Sequence, residues 1–172
     1  MSRGLARAGA VMLVVGLSLL AAASLRGASY SGGGTTRIRR MKTGDVFSLN
    51  VFFTGPRGFT YTAMFKGATF DVYLVYLGSS FTVNPSPEAG ETLFFRGNAS
   101  SVYMRMALGR RGLYMVYIKA VKVWEPVVEI NNKYAVYGLE RDLLWTGIAV
   151  SAVGAAILAT GAVLGRKLGV ET

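Results

Sequence analysis

The chain has 172 residues, of which 52% are hydrophobic and 16% are charged, and it contains no cysteine and no histidine. The absence of these two residue types excludes disulfides, zinc–thiolate centres, copper sites and histidine-dependent nucleophilic catalysis. The formal net charge of +10 favours either polyanionic partners or a strongly solvated surface.

An uncharged segment of 18 residues lies between Arg7 and Arg26. At about 1.5 Å per residue it would form about 27 Å of helix, just enough to cross a hydrocarbon core of about 30 Å. The segment is therefore either a retained membrane helix or a signal peptide, with Arg3 in its basic region and a small-residue cleavage site before Ser24. We predict an N-terminal transmembrane helix or signal peptide over residues 1–26.

A second uncharged segment, 23 residues long, lies between Asp142 and Arg166. About 34 Å of helix crosses a bilayer with some tilt, and Trp145 lies at one end, where an indole prefers the headgroup boundary. Arg166 and Lys167 close the other end as a stop-transfer signal. We predict a C-terminal transmembrane helix and a short basic tail over residues 141–172.

Small residues recur along this second segment at a heptad-like spacing and end in a GxxxG motif. Such positions let two helix backbones approach closely, and close packing stabilises association in lipid. The partner of this seam could be a second copy, another membrane protein, or the first helix through Gly9 and Gly16; a glycine-rich span without a partner is the remaining alternative. The candidate packing residues are Gly147, Ser151, Gly154, Gly161 and Gly165.

Basic residues flank both apolar segments. Those at the two termini favour cytoplasmic termini, whereas the cluster after the first segment favours the opposite orientation. Because long domains cross a membrane largely regardless of their charge, we predict that the middle region lies outside the cell membrane. The basic residues expected at the surface of the bilayer are Arg37, Arg39, Arg40, Arg166 and Lys167.

The middle region begins with residues 27–44, where a Gly/Ser-rich run precedes the basic cluster. This composition predicts a flexible basic link. From Val46 onward, apolar and polar residues alternate with period two, which is typical of strands with one buried face. The Asn131-Asn132 pair is expected to divide the last part into two short strands.

Turn signals separate further strand-like runs in this region, and no helical periodicity is present between Asp45 and Gly138. Seven to nine strands at such spacing predict a mainly β fold, an antiparallel β-sandwich or jelly roll over residues 45–140. The other strand candidates are Phe59–Phe65, Thr69–Leu77, Thr92–Phe95, Val102–Leu108 and Leu113–Trp124, with a loop expected at 84–90.

Cationic and aromatic side chains give the candidate ligand site. Arg110 and Arg111 lie in a tight turn, and Tyr103 and Arg105 lie in the strand before it. These residues suit an acidic glycan or an acidic protein, and we do not expect nucleic acid. The lipid bilayer is the other expected partner.

The acidic residues are scattered, without the spacing of a metal-binding loop. We therefore predict no catalytic residue, no metal and no cofactor, and a non-catalytic binding or assembly module. Two alternatives stay open: a glycan hydrolase in which two carboxylates converge in space, and an accessory subunit of a larger membrane complex.

Two short patterns, Phe70–Leu74 (FDVYL) and Gly112–Ile118 (GLYMVYI), resemble strands of GOLD/emp24-type β-sandwich domains. The order of leader, sandwich, single span and short basic tail is also similar to that family. The resemblance implies a ligand- or protein-binding sandwich over about residues 45–138, without catalysis. The paired cysteines and the coiled coil of that family are missing here, so its cargo-receptor role is not carried over.

Overall fold

The computed structural model describes residues 2–27, 29–78, 88 and 90–169; the side chains of residues 2, 3 and 165–169 lie outside the described part. The protein is mainly antiparallel β structure with an apolar helix at each end, α1 (Ser2–Arg26) and α2 (Arg141–Gly169). The chain divides into two compact units. The helical unit comprises residues 1–28 and 139–172, and the β unit comprises Ser29–Gly138.

The described part of the β unit contains eight strands in two four-stranded sheets. Sheet I has the order β1-β8-β3-β6, and sheet II has the order β2-β7-β4-β5. The antiparallel pairs are nested, because β1 pairs with β8, β2 with β7, β3 with β6 and β4 with β5. This is the winding of a jelly roll, so the predicted fold class is confirmed. The strands are β1 (Tyr30–Arg39), β2 (Val46–Thr54), β3 (Gly58–Lys66), β4 (Ala68–Gly78), β5 (Glu91–Ala99), β6 (Ser101–Ala107), β7 (Gly112–Val123) and β8 (Val127–Tyr137).

The core of the jelly roll lies between the sheets and is filled by alternate residues of each strand. In β3, for example, Phe59, Tyr61 and Phe65 are buried, whereas Thr62 between them is exposed. Aromatic rings dominate one region of this core. The ring of Phe52 stacks on the rings of Phe59, Tyr114 and Tyr134, at centroid distances of 4.9, 5.7 and 5.7 Å.

The prediction of a flexible link is wrong for Tyr30–Arg39, because these residues form β1 and pair with β8 along their whole length. The glycine run has a packing role there. A Cβ added at Gly32 would lie 2.7 Å from Cε1 of Tyr134, so the glycine makes room for a ring that packs against the core. A glycine in a strand interior often marks such a close approach.

The expected break at Asn131-Asn132 is also wrong, because β8 is continuous from Val127 to Tyr137. β8 lies in the middle of sheet I and is paired with β1 on one side and β3 on the other. Pairing on both sides overrides the low strand propensity of asparagine. The loop predicted at 84–90 lies largely outside the described residues.

In the helical unit, α1 and α2 form an antiparallel hairpin. The segments Gly4–Arg26 and Arg141–Leu164 are 23 and 24 residues long, which with their apolar composition is enough to cross a membrane. At the end of the helix pair where α1 ends and α2 begins, the buried carboxylate of Glu140 lies 3.8 Å from a guanidinium nitrogen of Arg26.

Candidate ligand-binding face

The outer face of sheet I is formed by the strand positions that alternate with the core. We call its charged and aromatic part the basic face. Five exposed cations lie on it, and in the described part of the face the one carboxylate is that of Glu129. The cations are Arg37, Arg39, Lys66, Arg105 and Lys133, and the other members of the basic face are Tyr103, Tyr137 and Glu129.

A shallow groove of about 280 Å³ crosses the basic face. Thr62 lies in its floor, directly between Tyr103 on β6 and Lys133 on β8 in the strand register. The Thr62 hydroxyl donates a hydrogen bond to the backbone carbonyl of Lys133, with an oxygen–oxygen distance of 3.3 Å. Small side chains between two long ones leave the groove open, and the Tyr103 side chain is 66% exposed beside it.

Two contacts determine which cations of the basic face can attract a ligand. The Nε atom of Arg37 lies 3.0 Å from a carboxylate oxygen of Glu129, so that charge is largely compensated. The Nε atom of Arg105 donates to the Tyr137 hydroxyl over 3.2 Å. This hydrogen bond raises the pKa of Arg105 further, so its guanidinium keeps its charge at the edge of the sheet.

The four predicted ligand-site residues are not brought together. Tyr103 and Arg105 lie on the basic face, whereas Arg110 and Arg111 lie in the turn from β6 to β7, which leads from sheet I to sheet II. An Nη atom of Arg110 lies 2.7 Å from a carboxylate oxygen of Glu91. The predicted site therefore divides into two separate places.

The turn that contains Arg110 and Arg111 is fixed by two tyrosine hydroxyls. The Tyr76 hydroxyl donates to the carbonyl of Arg111 over 2.9 Å, and the Tyr114 hydroxyl donates to the carbonyl of Arg110 over 2.6 Å. Burial raises the pKa of Tyr114, so its hydroxyl stays a donor. A cavity of about 220 Å³ lies beside this turn, next to the Arg110–Glu91 ion pair.

The residues predicted at the membrane surface occupy different positions. Arg37 and Arg39 lie on β1, and Arg40 follows it with a left-handed backbone (φ 59°). The strand rises about 3.3 Å per residue, so Arg39 lies about 30 Å along β1 from Tyr30. The side chains of Arg166 and Lys167 lie outside the described part. Contact of these five residues with headgroups stays a prediction.

The small residues predicted to pack a helix seam face α1 of the same chain. A Cβ added at Gly154 would lie 2.6 Å from the backbone nitrogen of Leu13, and one added at Gly161 would lie 3.0 Å from that of Ala6. Gly147 and Ser151 lie against Gly16 in the same way. For Gly165 the structure describes the backbone as part of α2 but not its surroundings.

The seam on α1 has a matching spacing. Gly9, Gly16 and the buried Ala23 follow one another at intervals of seven residues, as Gly147, Gly154 and Gly161 do on α2. This spacing keeps the small residues on one face of each helix. At Gly9, Gly154 and Gly161 the nearest atoms belong to the backbone of the other helix, so a change of rotamer cannot make room for an added Cβ there.

Two carboxylates of the β unit accept hydrogen bonds from the backbone. Asp45 accepts a hydrogen bond from the backbone nitrogen of Lys42, and Asp71 accepts one from that of Asn98. Across the described residues, no group of three or more acidic residues is arranged to hold a metal ion.

Sequence reasoning missed Lys66 and Lys133 as members of the basic face. Lys133 follows the buried Asn132, and Lys66 follows the buried Phe65. Both therefore occupy outward positions in a period-two pattern, and this alternation was the signal that could have identified them.

No protein-family model and no curated protein matches the chain. Among solved structures, VP2 of the infectious bursal disease virus subviral particle is 10% identical, with a TM-score of 0.41; the match covers 63% of this chain and 32% of that one. The chain thus spans about a third of that protein.

Two other similar structures are shorter. The CBM6 module of a marine laminarinase from Zobellia galactanivorans is 8% identical, with a TM-score of 0.39, and the match covers 62% of this chain and 90% of that one. The periplasmic inhibitor PliG of g-type lysozyme from Aeromonas hydrophila is 14% identical, with a TM-score of 0.34 and coverages of 66% and 87%. At these values, the likenesses carry no argument about activity.

Proposed function

We propose that this protein is a membrane-anchored, extracytoplasmic binding module. The α1–α2 hairpin holds it in the bilayer, and the jelly roll binds an acidic glycan or protein through the basic face without catalysing a reaction. The observation that carries the proposal is the basic face itself: five exposed cations and one described carboxylate lie on one side of sheet I, and the groove that crosses it is lined by Lys133 and the exposed Tyr103.

The physical case for an acidic ligand rests on the number and fixed placement of the cations. A single exposed ion pair contributes about 0–1 kcal/mol, because water and salt screen it. Several cations on one rigid sheet act together on a polyanion, and their combined field also speeds its approach. Tyr103 adds a flat apolar surface beside Lys133, which a ligand in the groove would cover.

The anchor rests on the packing of the two helices. In a cleaved signal peptide, a face of small residues that matches another helix would have no packing role. Gly9 and Gly16 lie so close to Gly154 and Ser151 that an added Cβ would contact the backbone of α2. This supports retention of α1 as a membrane helix. An inserted hairpin would place both termini on one side and the β unit on the other. The small-residue face of α2 is covered by α1, so assembly with further proteins would use other surfaces.

Binding can be tested with the full-length protein in nanodiscs of neutral lipid, titrated with oligogalacturonate and with polyglutamate. We expect at least one of these probes to bind, with an affinity that falls as salt is raised. The Arg105→Ala/Lys133→Ala variant should lose about tenfold or more in affinity. The Arg96→Ala/Lys119→Ala variant removes the same charge from sheet II and should lose much less. Equal losses in the two variants, or no binding of either probe, would contradict the proposal.

Anchoring and orientation need a separate experiment. The chain should stay in the membrane after alkaline carbonate extraction, and protease added to right-side-out vesicles should reach the β unit. Recovery of the full-length chain in the soluble fraction would exclude the anchor. Protection of the β unit until the membrane is broken would reverse the orientation.

A further inference from the structure

The distal end of the jelly roll is the end away from Tyr30 and Tyr137, and it carries an exposed tryptophan. It contains the turns after β1, β3 and β7. Trp124 lies in the turn after β7, and its side chain is 53% exposed. Tryptophan combines a large apolar surface with one N–H donor, and it is enriched where proteins bury surface on binding.

The backbone around Trp124 is held in place by neighbouring turns. The backbone nitrogens of Trp124 and Glu125 both donate to the carbonyl of Gly67, over 3.0 and 3.2 Å, and the nitrogen of Arg40 donates to the carbonyl of Pro126 over 3.2 Å. Gly67 has a φ of +81°, and a Cβ there would lie 2.8 Å from that of Glu125. The backbone of the turn that contains Trp124 is therefore fixed before a ligand binds, so the turn loses little conformational entropy on binding.

Three cations lie close along the backbone to the turn that contains Trp124. Lys66 precedes the glycine that accepts the two hydrogen bonds, and Arg40 is bonded to the turn of Trp124 through Pro126. Arg39 pairs with Val127 in the strand register. Among the described residues of the three turns and the strand ends next to them, Asp45 and Glu125 supply two negative charges against the positive charges of Arg39, Arg40, Lys42 and Lys66, so positive charge is in excess at the distal end.

We infer that the distal end is a binding subsite for an acidic polysaccharide. The indole of Trp124 stacks on the apolar face of a sugar ring, while Arg39, Arg40 and Lys66 bind the carboxylate or sulfate groups of the same chain. This inference rests on the proposed function and adds the class of ligand to it. Arg39 and Lys66 also belong to the basic face, so the subsite shares two of its cations with the proposed binding face, and an extended acidic polymer could use both.

The sequence provides a direct reporter for this subsite. The chain has two tryptophans, Trp124 and Trp145, so the Trp145→Phe variant leaves Trp124 as its one indole. In nanodiscs of neutral lipid, oligogalacturonate should shift or quench the fluorescence of this variant. A neutral oligosaccharide of the same length should do so much less, because it lacks the acidic groups. A response to polyglutamate or anionic vesicles but not to oligogalacturonate would overturn the inference in favour of a protein or a lipid surface.

Affinity measurements separate this subsite from the proposed function. Trp124→Ala should bind oligogalacturonate about tenfold more weakly and polyglutamate unchanged, since a polypeptide without rings does not need the indole. Phe95→Ala, which removes an exposed ring from sheet II, is the matched control and should bind both probes as the parent does. Unchanged oligogalacturonate affinity in Trp124→Ala would refute the subsite and leave the basic face intact. Failure of the parent protein to bind any acidic probe would refute the proposed function itself.

Discussion

The helix seam can be tested with a pair of cysteines, because the chain contains none of its own. A Cβ built at Gly161 lies 3.4 Å from the Cβ of Ala6. Disulfide-bonded cysteines have Cβ atoms about 3.8 Å apart, so the Ala6→Cys/Gly161→Cys variant needs a separation of only about 0.4 Å. We therefore expect mild oxidation in native membranes to form a disulfide within one chain.

The assay is a non-reducing gel, with the linked peptides identified by mass spectrometry. The cross-linked product should migrate as a monomer and revert with a reductant. Ala6→Cys/Val163→Cys is the matched control, because Val163 is 55% exposed and lies on another face of α2. A disulfide that forms only between two copies would refute the intrachain seam. A mature protein that lacks residue 6 would show that the first segment is a cleaved signal.

Three further substitutions follow from the packing. Gly154→Ile places side-chain atoms against the backbone of Leu13, so we expect a cost of about 1–3 kcal/mol and a lower disulfide yield in the cysteine-pair variant; an unchanged yield would contradict the seam. Phe52→Ala removes a ring that stacks on three others and should lower the free energy of unfolding by about 3–5 kcal/mol, measured by denaturant titration; a loss below about 1 kcal/mol would mean that the core adapts. Tyr61→Phe removes a buried hydroxyl that has no hydrogen-bond partner among the described residues, so stability at neutral pH should be unchanged or rise by about 1 kcal/mol. Burial raises the pKa of Tyr61 above its ordinary value, so the folded state holds the phenolic proton more tightly than the unfolded state. The contribution of this tightly held proton to the free energy of unfolding is complete below about pH 10 and is lost as the pH rises further. Tyr61→Phe should therefore lose less stability at alkaline pH than the parent; an equally steep loss would contradict the raised pKa of Tyr61.

The parts of the fold that could be predicted from sequence are those with a local period. The alternation in β3 gave one buried face, and the two long apolar segments gave the helices. β1 could not be found in this way, because its glycines carry no periodic signal. Gly32 is in a strand because β1 pairs with β8, in which Tyr134, about a hundred residues later, is its partner, and the ring of Tyr134 leaves no room for a Cβ there. Only the pairing of distant strands shows this contact.

The helix seam was half predictable. The small residues of α2 at intervals of seven indicate that some helix approaches closely. The identity of that helix depends on a matching face, and Gly9, Gly16 and Ala23 provide one in register. Small residues on one helix do not identify the helix that packs against them. Complementary spacing of small residues on two helices of one chain favours an intrachain hairpin.

The candidate site shows why nearness in sequence misleads in a jelly roll. Arg105 and Arg110 are five positions apart, but β6 ends between them and the following turn leads to the other sheet. Tyr103 and Lys133 are thirty positions apart, yet both are neighbours of Thr62, because β3 pairs with β6 on one side and with β8 on the other. Strand alternation determines which residues face outward, and the nested pairing determines which outward residues meet. The basic face results from that pairing, so its charges act together only in the folded sheet. A variant that unpairs β6 should remove Tyr103 and Arg105 from the basic face together.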